Sequence, residues 1–113
     1  MDQLVLESAK SYNEYLSKLP GGCKKIADLL REDSLVEAFK LIITFSEGVE
    51  WLSRMNQLLN ENGVDISLNI EKIHEFLEEV NNGLEIQDYI IVADMFEFEI
   101  EPFFRNCEFI KGV

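Results

Sequence analysis

Met95-Phe96-Glu97-Phe98-Glu99-Ile100-Glu101 alternates apolar and acidic side chains from Phe96 onward, the pattern of a half-buried β-strand. Within the wider window from Tyr89 to Phe104 the same residues fit a longer helical pattern. Projected at about 100° per residue, Asp94, Glu97, Glu101 and Glu108 share one narrow strip, while Val92, Met95, Phe96, Phe98 and Phe103 lie on an apolar arc away from it. The longer pattern wins, so the segment is a helix that begins near Asp88 and runs to about Glu101. Pro102 has no N–H for the carbonyl of Phe98, and is expected to kink the helix or start a separate last segment.

Outward from this stretch, helical periodicity dominates the chain. Leu4, Val5, Ala9, Tyr12, Tyr15, Leu16 and Leu19 fall on one broad face, with Glu7, Lys10, Glu14 and Lys18 opposite. Pro20-Gly21-Gly22 should interrupt this helix, leaving a short second one over roughly 22–32 with Ile26, Leu29 and Leu30 inward. Ser34 and Glu37 have the spacing of a capping box and start the longest helix, roughly 35–61. Its main stripe is Leu35, Ala38, Phe39, Ile42, Phe45, Val49 and Leu52, and Gly63 ends it as a left-handed cap. Val64, Ile66 and Leu68 alternate faintly, but without a pairing partner 63–69 reads as a docked loop. Asn69 can cap the next helix, which buries Ile70, Ile73, Phe76, Leu77 and Val80 and stops at Asn82-Gly83. Four main helices plus one short one in 113 residues give a single domain, 1–113, folded as an all-α antiparallel bundle.

Charge narrows the partners. The chain carries 22 acidic and 10 basic residues, a formal net charge of −12. That field repels nucleic acid and anionic membrane, and the longest basic run, Lys24-Lys25, is too short to offset it. No stretch approaches the roughly 18 apolar residues of a membrane span, and the N-terminal residues lack a signal-peptide pattern. Cys23 and Cys107 lie far apart and read as reduced thiols in a cytoplasmic protein.

Few residues point to chemistry. Glu71-x-x-His74 matches half of a carboxylate di-metal site, but His74 is the only histidine, so one copy cannot complete it. Neither cysteine has a basic partner, and there is no nucleophile elbow or phosphate-cradling glycine loop. These observations favour a non-catalytic protein with no catalytic residue, metal or cofactor. The acidic strip of Asp94, Glu97 and Glu101 has a spacing suited to calcium or a basic peptide, although a solvated helix face is the commoner outcome. Glu99 falls near the middle of the apolar arc. Either Pro102 distorts the helix and turns Glu99 to solvent, or the carboxylate pairs with Arg54 or Arg105 or holds a subunit interface. Trp51, Met55 and Leu58 form a second apolar strip on the long helix, covered either by another helix or by another subunit. Gly48, mid-helix, suggests something packed close against the backbone.

The order Tyr15-Leu16, Leu19-Pro20, Cys23-Lys24-Lys25-Ile26-Ala27, Glu50-Trp51-Leu52, Asp88-Tyr89-x-x-x-Ala93-Asp94 and Phe98-Glu99-Ile100-x-Pro102 resembles small helical proteins of Gram-positive, often spore-forming, bacteria. The chain is also similar, in length, acidity and the helical rhythm of 26–58, to flagellin export chaperones. These resemblances imply a helical bundle without assigned chemistry. The function expected is a cytoplasmic protein-interaction module that self-associates; the alternative is a chaperone or adaptor taking up a basic amphipathic helix. A metal-dependent enzyme comes third. The candidate surface comprises Trp51, Met55, Leu58, Asp94, Glu97, Glu99 and Glu101.

Overall fold

A computed structural model describes residues 2–113. Helix α1 (Gln3–Arg31) is followed by α2 (Leu35–Glu61), α3 (Ile70–Glu85) and α4 (Tyr89–Met95). The last helix continues through a π-helical turn (Phe96–Ile100) into α5 (Glu101–Arg105), and no strand occurs among the described residues.

The expected break at Pro20 is absent: α1 is one helix of 29 residues. Its buried residues Tyr12, Leu16, Leu19, Cys23, Ile26 and Leu30 keep helical spacing across the proline. Interior proline costs about 3 kcal/mol. Each buried aliphatic side chain beyond it contributes roughly 1.5–3 kcal/mol, so the unbroken stripe outweighs the lost bond to Leu16. Asp2 opens the helix, its Oδ1 accepting from the Leu4 and Val5 amides at 2.7 and 3.5 Å.

Three helices end in the same way. Val64 N–H donates to the Leu59 carbonyl at 2.9 Å and Gly63 N–H to Asn60 at 3.2 Å, with Gly63 at φ +82°. Gly63 is the left-handed cap expected there, and the two bonds make it a Schellman motif. The same pair of bonds closes α1 through Asp33 (φ +60°) and α3 through Gln87 (φ +57°), neither of them glycine. Ser34 is the N-cap of α2 but its hydroxyl makes no capping bond, so the expected capping box does not form. Its backbone is already engaged, the N–H donating to Leu29 at 2.9 Å to finish α1. Asn69 does cap α3, accepting from Lys72 N–H at 3.0 Å. Val64 is buried, and Ile66 and Leu68 are half-buried against the core, so 63–69 is a docked loop.

Gly83 does not stop α3, contrary to the sequence expectation. It lies inside the helix, buried, where a Cβ would stand 2.6 Å from Val92 Cγ2. The glycine lets α3 approach α4 closely, and the helix runs two residues further to Glu85.

Contacts fix the register. Tyr15 meets Trp51, Arg31 meets Asp94, and Asn13 meets Ile110, so α2 and the C-terminal segment both run antiparallel to α1. Phe76 on Phe103 and Gly83 on Val92 set α3 antiparallel to that C-terminal segment. Helix α1 is the spine, packed on α2, α4, the π turn and α5, whereas α3 packs chiefly on α4 and barely on α2. Edge-to-face rings join these elements: Phe45 on Phe96 at 5.2 Å and on Phe104 at 6.1 Å, then Phe103 on Phe104 at 4.9 Å.

Candidate functional site

Because α3 leans on α4, an open groove runs between α2 and α3. Phe39, Ile42 and Ile43 from α2 and Leu84 from α3 supply apolar walls, and Glu47 and Glu50 stand among them, around a space of about 330 Å³. Ile43 is 59% exposed, while Ile42 beside it is buried. Beyond Leu84 the groove opens into a shallower hollow bearing His74, Glu78 and Glu85. Glu47, Glu50, Glu78 and Glu85 take part in no ion pair among the described residues. The edge of the groove is closed by Phe39 against Tyr89, with ring centroids 5.7 Å apart.

The residues singled out from sequence are not gathered into this groove. Trp51 and Met55 are half-buried against the core, and Trp51 packs edge-to-face on Tyr15 of α1 with ring centroids 5.7 Å apart. The Tyr15 hydroxyl occupies the space above Gly48, only 1.5 Å from where a Cβ would be, which answers what packs against that glycine. Leu58 remains 50% exposed. Of the acidic strip, Asp94 and Glu97 both accept from Arg31, at 2.8 and 2.6 Å, clamping the end of α1 to the last helix. These bonds push the Arg31 guanidinium further above its ordinary range. Glu101 pairs with Arg105 at 2.9 Å, so the strip is engaged within the molecule rather than presented as a row of free acids.

Glu99 is exposed and unpaired among the described residues, so within the chain it faces solvent and pairs with neither Arg54 nor Arg105. The same distortion corrects a second placement: Phe98, assigned to the apolar arc, is 65% exposed and lies under the Arg31 guanidinium at 5.8 Å. The π turn causes both. In an α-helix every fourth residue drifts by about 40°, yet Phe96, Ile100 and Phe104 all stay buried. Widening the turn, with Glu101 N–H donating to Phe96, removes that drift and rotates the two residues between Glu97 and Ile100 outward.

Glu71 and His74 are exposed on α3, and no group of three or more metal-ligating side chains forms among the described residues. The Cys23 thiol is buried, and burial followed by the nearby Glu101 charge pushes it up to about 12. Burial likewise raises Cys107, whose thiol donates to the Phe103 carbonyl at 3.3 Å. Both sulfurs are therefore protonated, poor nucleophiles at neutral pH. Tyr12 is raised to about 12 by burial, offset in part by the neighbouring Asn56 amide.

Sequence reasoning missed the groove. Its one available signal was Ile43, an isoleucine seven residues from exposed Val36 on the polar side of α2. Leu84 gave none, because the placement of α3 away from α2 is a tertiary matter.

Fold and surface together define an all-α antiparallel bundle with an acidic, apolar-walled groove. Residues 7–108 match the model of a family described as a domain of unknown function, DUF8042, and the chain belongs to that family. No curated protein matches it, and no solved structure does.

Proposed function

We propose that the chain is a non-catalytic protein-interaction module whose α2–α3 groove receives an amphipathic helix with a basic flank. The observation that carries this is the pairing of exposed Ile43 and the Phe39, Ile42 and Leu84 walls with two glutamates that lack ion partners. A space of about 330 Å³ suits the anchor side chains of a docking helix, not the whole helix. Carboxylates beside an apolar floor favour lysines or arginines flanking those anchors, and the overall charge of −12 steers such a partner inward. No helix among the described residues is long and apolar enough to cross a membrane, and two free thiols suit the reducing cytoplasm.

Fluorescence anisotropy with a labelled Leu/Lys amphipathic peptide tests the groove. Binding should weaken about tenfold or more for Ile43→Glu, whose side chain is already largely in water, and should weaken with added salt. Equal binding by Ile43→Glu, or by a Leu/Glu peptide of the same apolar pattern, defeats the reading.

Self-association is a second reading, favoured by Ile86 and Ile90, each 72% exposed at the α3–α4 corner. Here the sign of the salt effect reverses, since two copies each carry −12 and salt screens their repulsion. Light scattering across a salt series separates the two. Trp51→Asp would not, because Trp51 is part of the α1–α2 packing.

A further inference from the structure

On the opposite side of α2 from the groove lies a second concavity, enclosed by the stretch of α1 that contains Pro20-Gly21-Gly22. Its walls are Leu19 and Ile26 of α1 and Leu41 and Phe45 of α2, and its volume is about 210 Å³. No carboxylate lines it. In a chain with more than twice as many acids as bases, the charged groups at its rim are instead Lys18 and Lys25. Seven residues apart, these lysines share a face of α1 and sit about two turns from each other, with Gly22 between them. Lys18 shares its ammonium with Glu14 at 3.2 Å, whereas Lys25 has no ion partner among the described residues.

Gly22 keeps the mouth open. A Cβ at that position would meet nothing within 4 Å, so the exposed entrance beside Gly22 has room for a larger side chain. Glycine is among the poorest residues for a helix interior, and neither a turn nor a positive φ requires it here.

We propose that this pocket binds a small amphiphile with an apolar tail and an anionic head, a medium-chain carboxylate being the simplest example. The tail lies between Leu19, Ile26, Leu41 and Phe45, and the head meets the Lys25 ammonium, with Lys18 as the second cation. The volume lies below the ~300–1,000 Å³ of sites for drug-sized ligands, which selects a short chain or single ring. The acidity of the whole molecule opposes an anion only weakly at this place. At physiological ionic strength charges beyond about 8 Å are largely screened, while the lysines are adjacent. The assignment is independent of the α2–α3 groove, which is formed by the other face of α2.

Amide chemical-shift titration with sodium octanoate, octylamine and octanol tests it. Octanoate should shift amides around Gly22, Lys25 and Leu41 and saturate as one site, with octylamine at least tenfold weaker. Lys25→Gln should lower octanoate affinity about tenfold and leave octanol unchanged. Gly22→Leu should keep its helical circular dichroism and melt no lower than the parent, since leucine is the better helix former, yet lose octanoate binding. Equal affinity for octanoate and octylamine, wild-type binding by folded Gly22→Leu, or shifts centred elsewhere would each overturn the assignment. Vesicles containing phosphatidylglycerol run in parallel identify the source of the head group. Capture by vesicles without binding of free octanoate also overturns it.

Discussion

Gln87 holds φ at +57°, a conformation that costs a residue with a Cβ about 1–2 kcal/mol, and does so with its side chain in solvent. Gly83, four residues earlier, has an ordinary helical backbone but no room beside it. The two positions therefore respond in opposite directions to substitutions that look alike in the sequence. Gln87→Gly removes strain and no contact, and should stabilise the protein by about 1 kcal/mol. Gly83→Ala gains about 1 kcal/mol of helix propensity but drives a methyl to 2.6 Å from the Val92 side chain. Val92 is fully buried and β-branched, so it cannot swing away, and overpacking of this kind costs roughly 1–3 kcal/mol. A net loss is expected. Urea-unfolding midpoints should rank Gln87→Gly above wild type and Gly83→Ala below it; the reverse order would show that α3 ends at Gly83 in solution. Asn13 was equally silent in the sequence. Its amide donates to the Ile110 carbonyl at 2.9 Å and accepts from the Ile110 N–H at 2.8 Å, standing in for a strand partner across 97 residues. No periodicity announces such a bond.

At the scale of elements, the helices were legible wherever an apolar stripe ran long, and misread wherever a local breaker had to be weighed against that stripe. Pro20 loses because buried residues continue on both sides of it. Pro102 is accommodated differently, by a π turn immediately before it, with Glu101 N–H reaching Phe96 one residue further back than in an α-helix. The wider turn opens room beneath the proline ring, and as a by-product it exposes Phe98 and Glu99. A fixed projection of 100° cannot register an extra residue, so it placed both on the apolar arc. The π turn and the proline are thereby a coupled pair. Deleting Glu99 should restore a plain α-helix and press the Pro102 ring on the carbonyl four residues before it, at about 3 kcal/mol. Pro102→Ala should recover most of that loss in the deletion background while changing the parent protein by less than about 1 kcal/mol. Additive effects in this double-mutant cycle would mean that the π turn has another cause.

At the scale of the molecule, the spine helix accounts for the shape. Twenty-nine residues of α1 span about 43 Å, close to the 46 Å long axis of a body only 21 Å across. A radius of gyration of 14.9 Å exceeds the roughly 13 Å of a compact domain near this size. An elongated body leaves much of each helix at the surface, and this is why the groove and the pocket fall on opposite faces of α2. Neither could be located from residue pattern alone: Phe39, Ile42 and Phe45 read simply as core, and how much of each stays open depends on where α1 and α3 come to rest. The same buried spine carries a pH dependence. Tyr12 is raised from 10.0 to about 12 and Cys23 from 9.0 to about 12, chiefly because burial penalises their charged forms. Both hold their proton more tightly folded than unfolded. Their contribution is whole below about pH 9 and is lost as pH rises toward 12, with roughly 2 kcal/mol from the thiol gone by pH 10.5. The net charge of −12 also opposes folding, but that repulsion acts largely through solvent and is screened by salt. Urea midpoints at pH 7 and 10.5, with and without 0.5 M sodium chloride at about three times physiological ionic strength, tell the two apart. Salt should raise both midpoints and leave the alkaline loss in place, and Cys23→Ala should flatten it. A loss that salt abolishes and Cys23→Ala leaves untouched would assign alkaline sensitivity to surface charge and not to the buried face of α1.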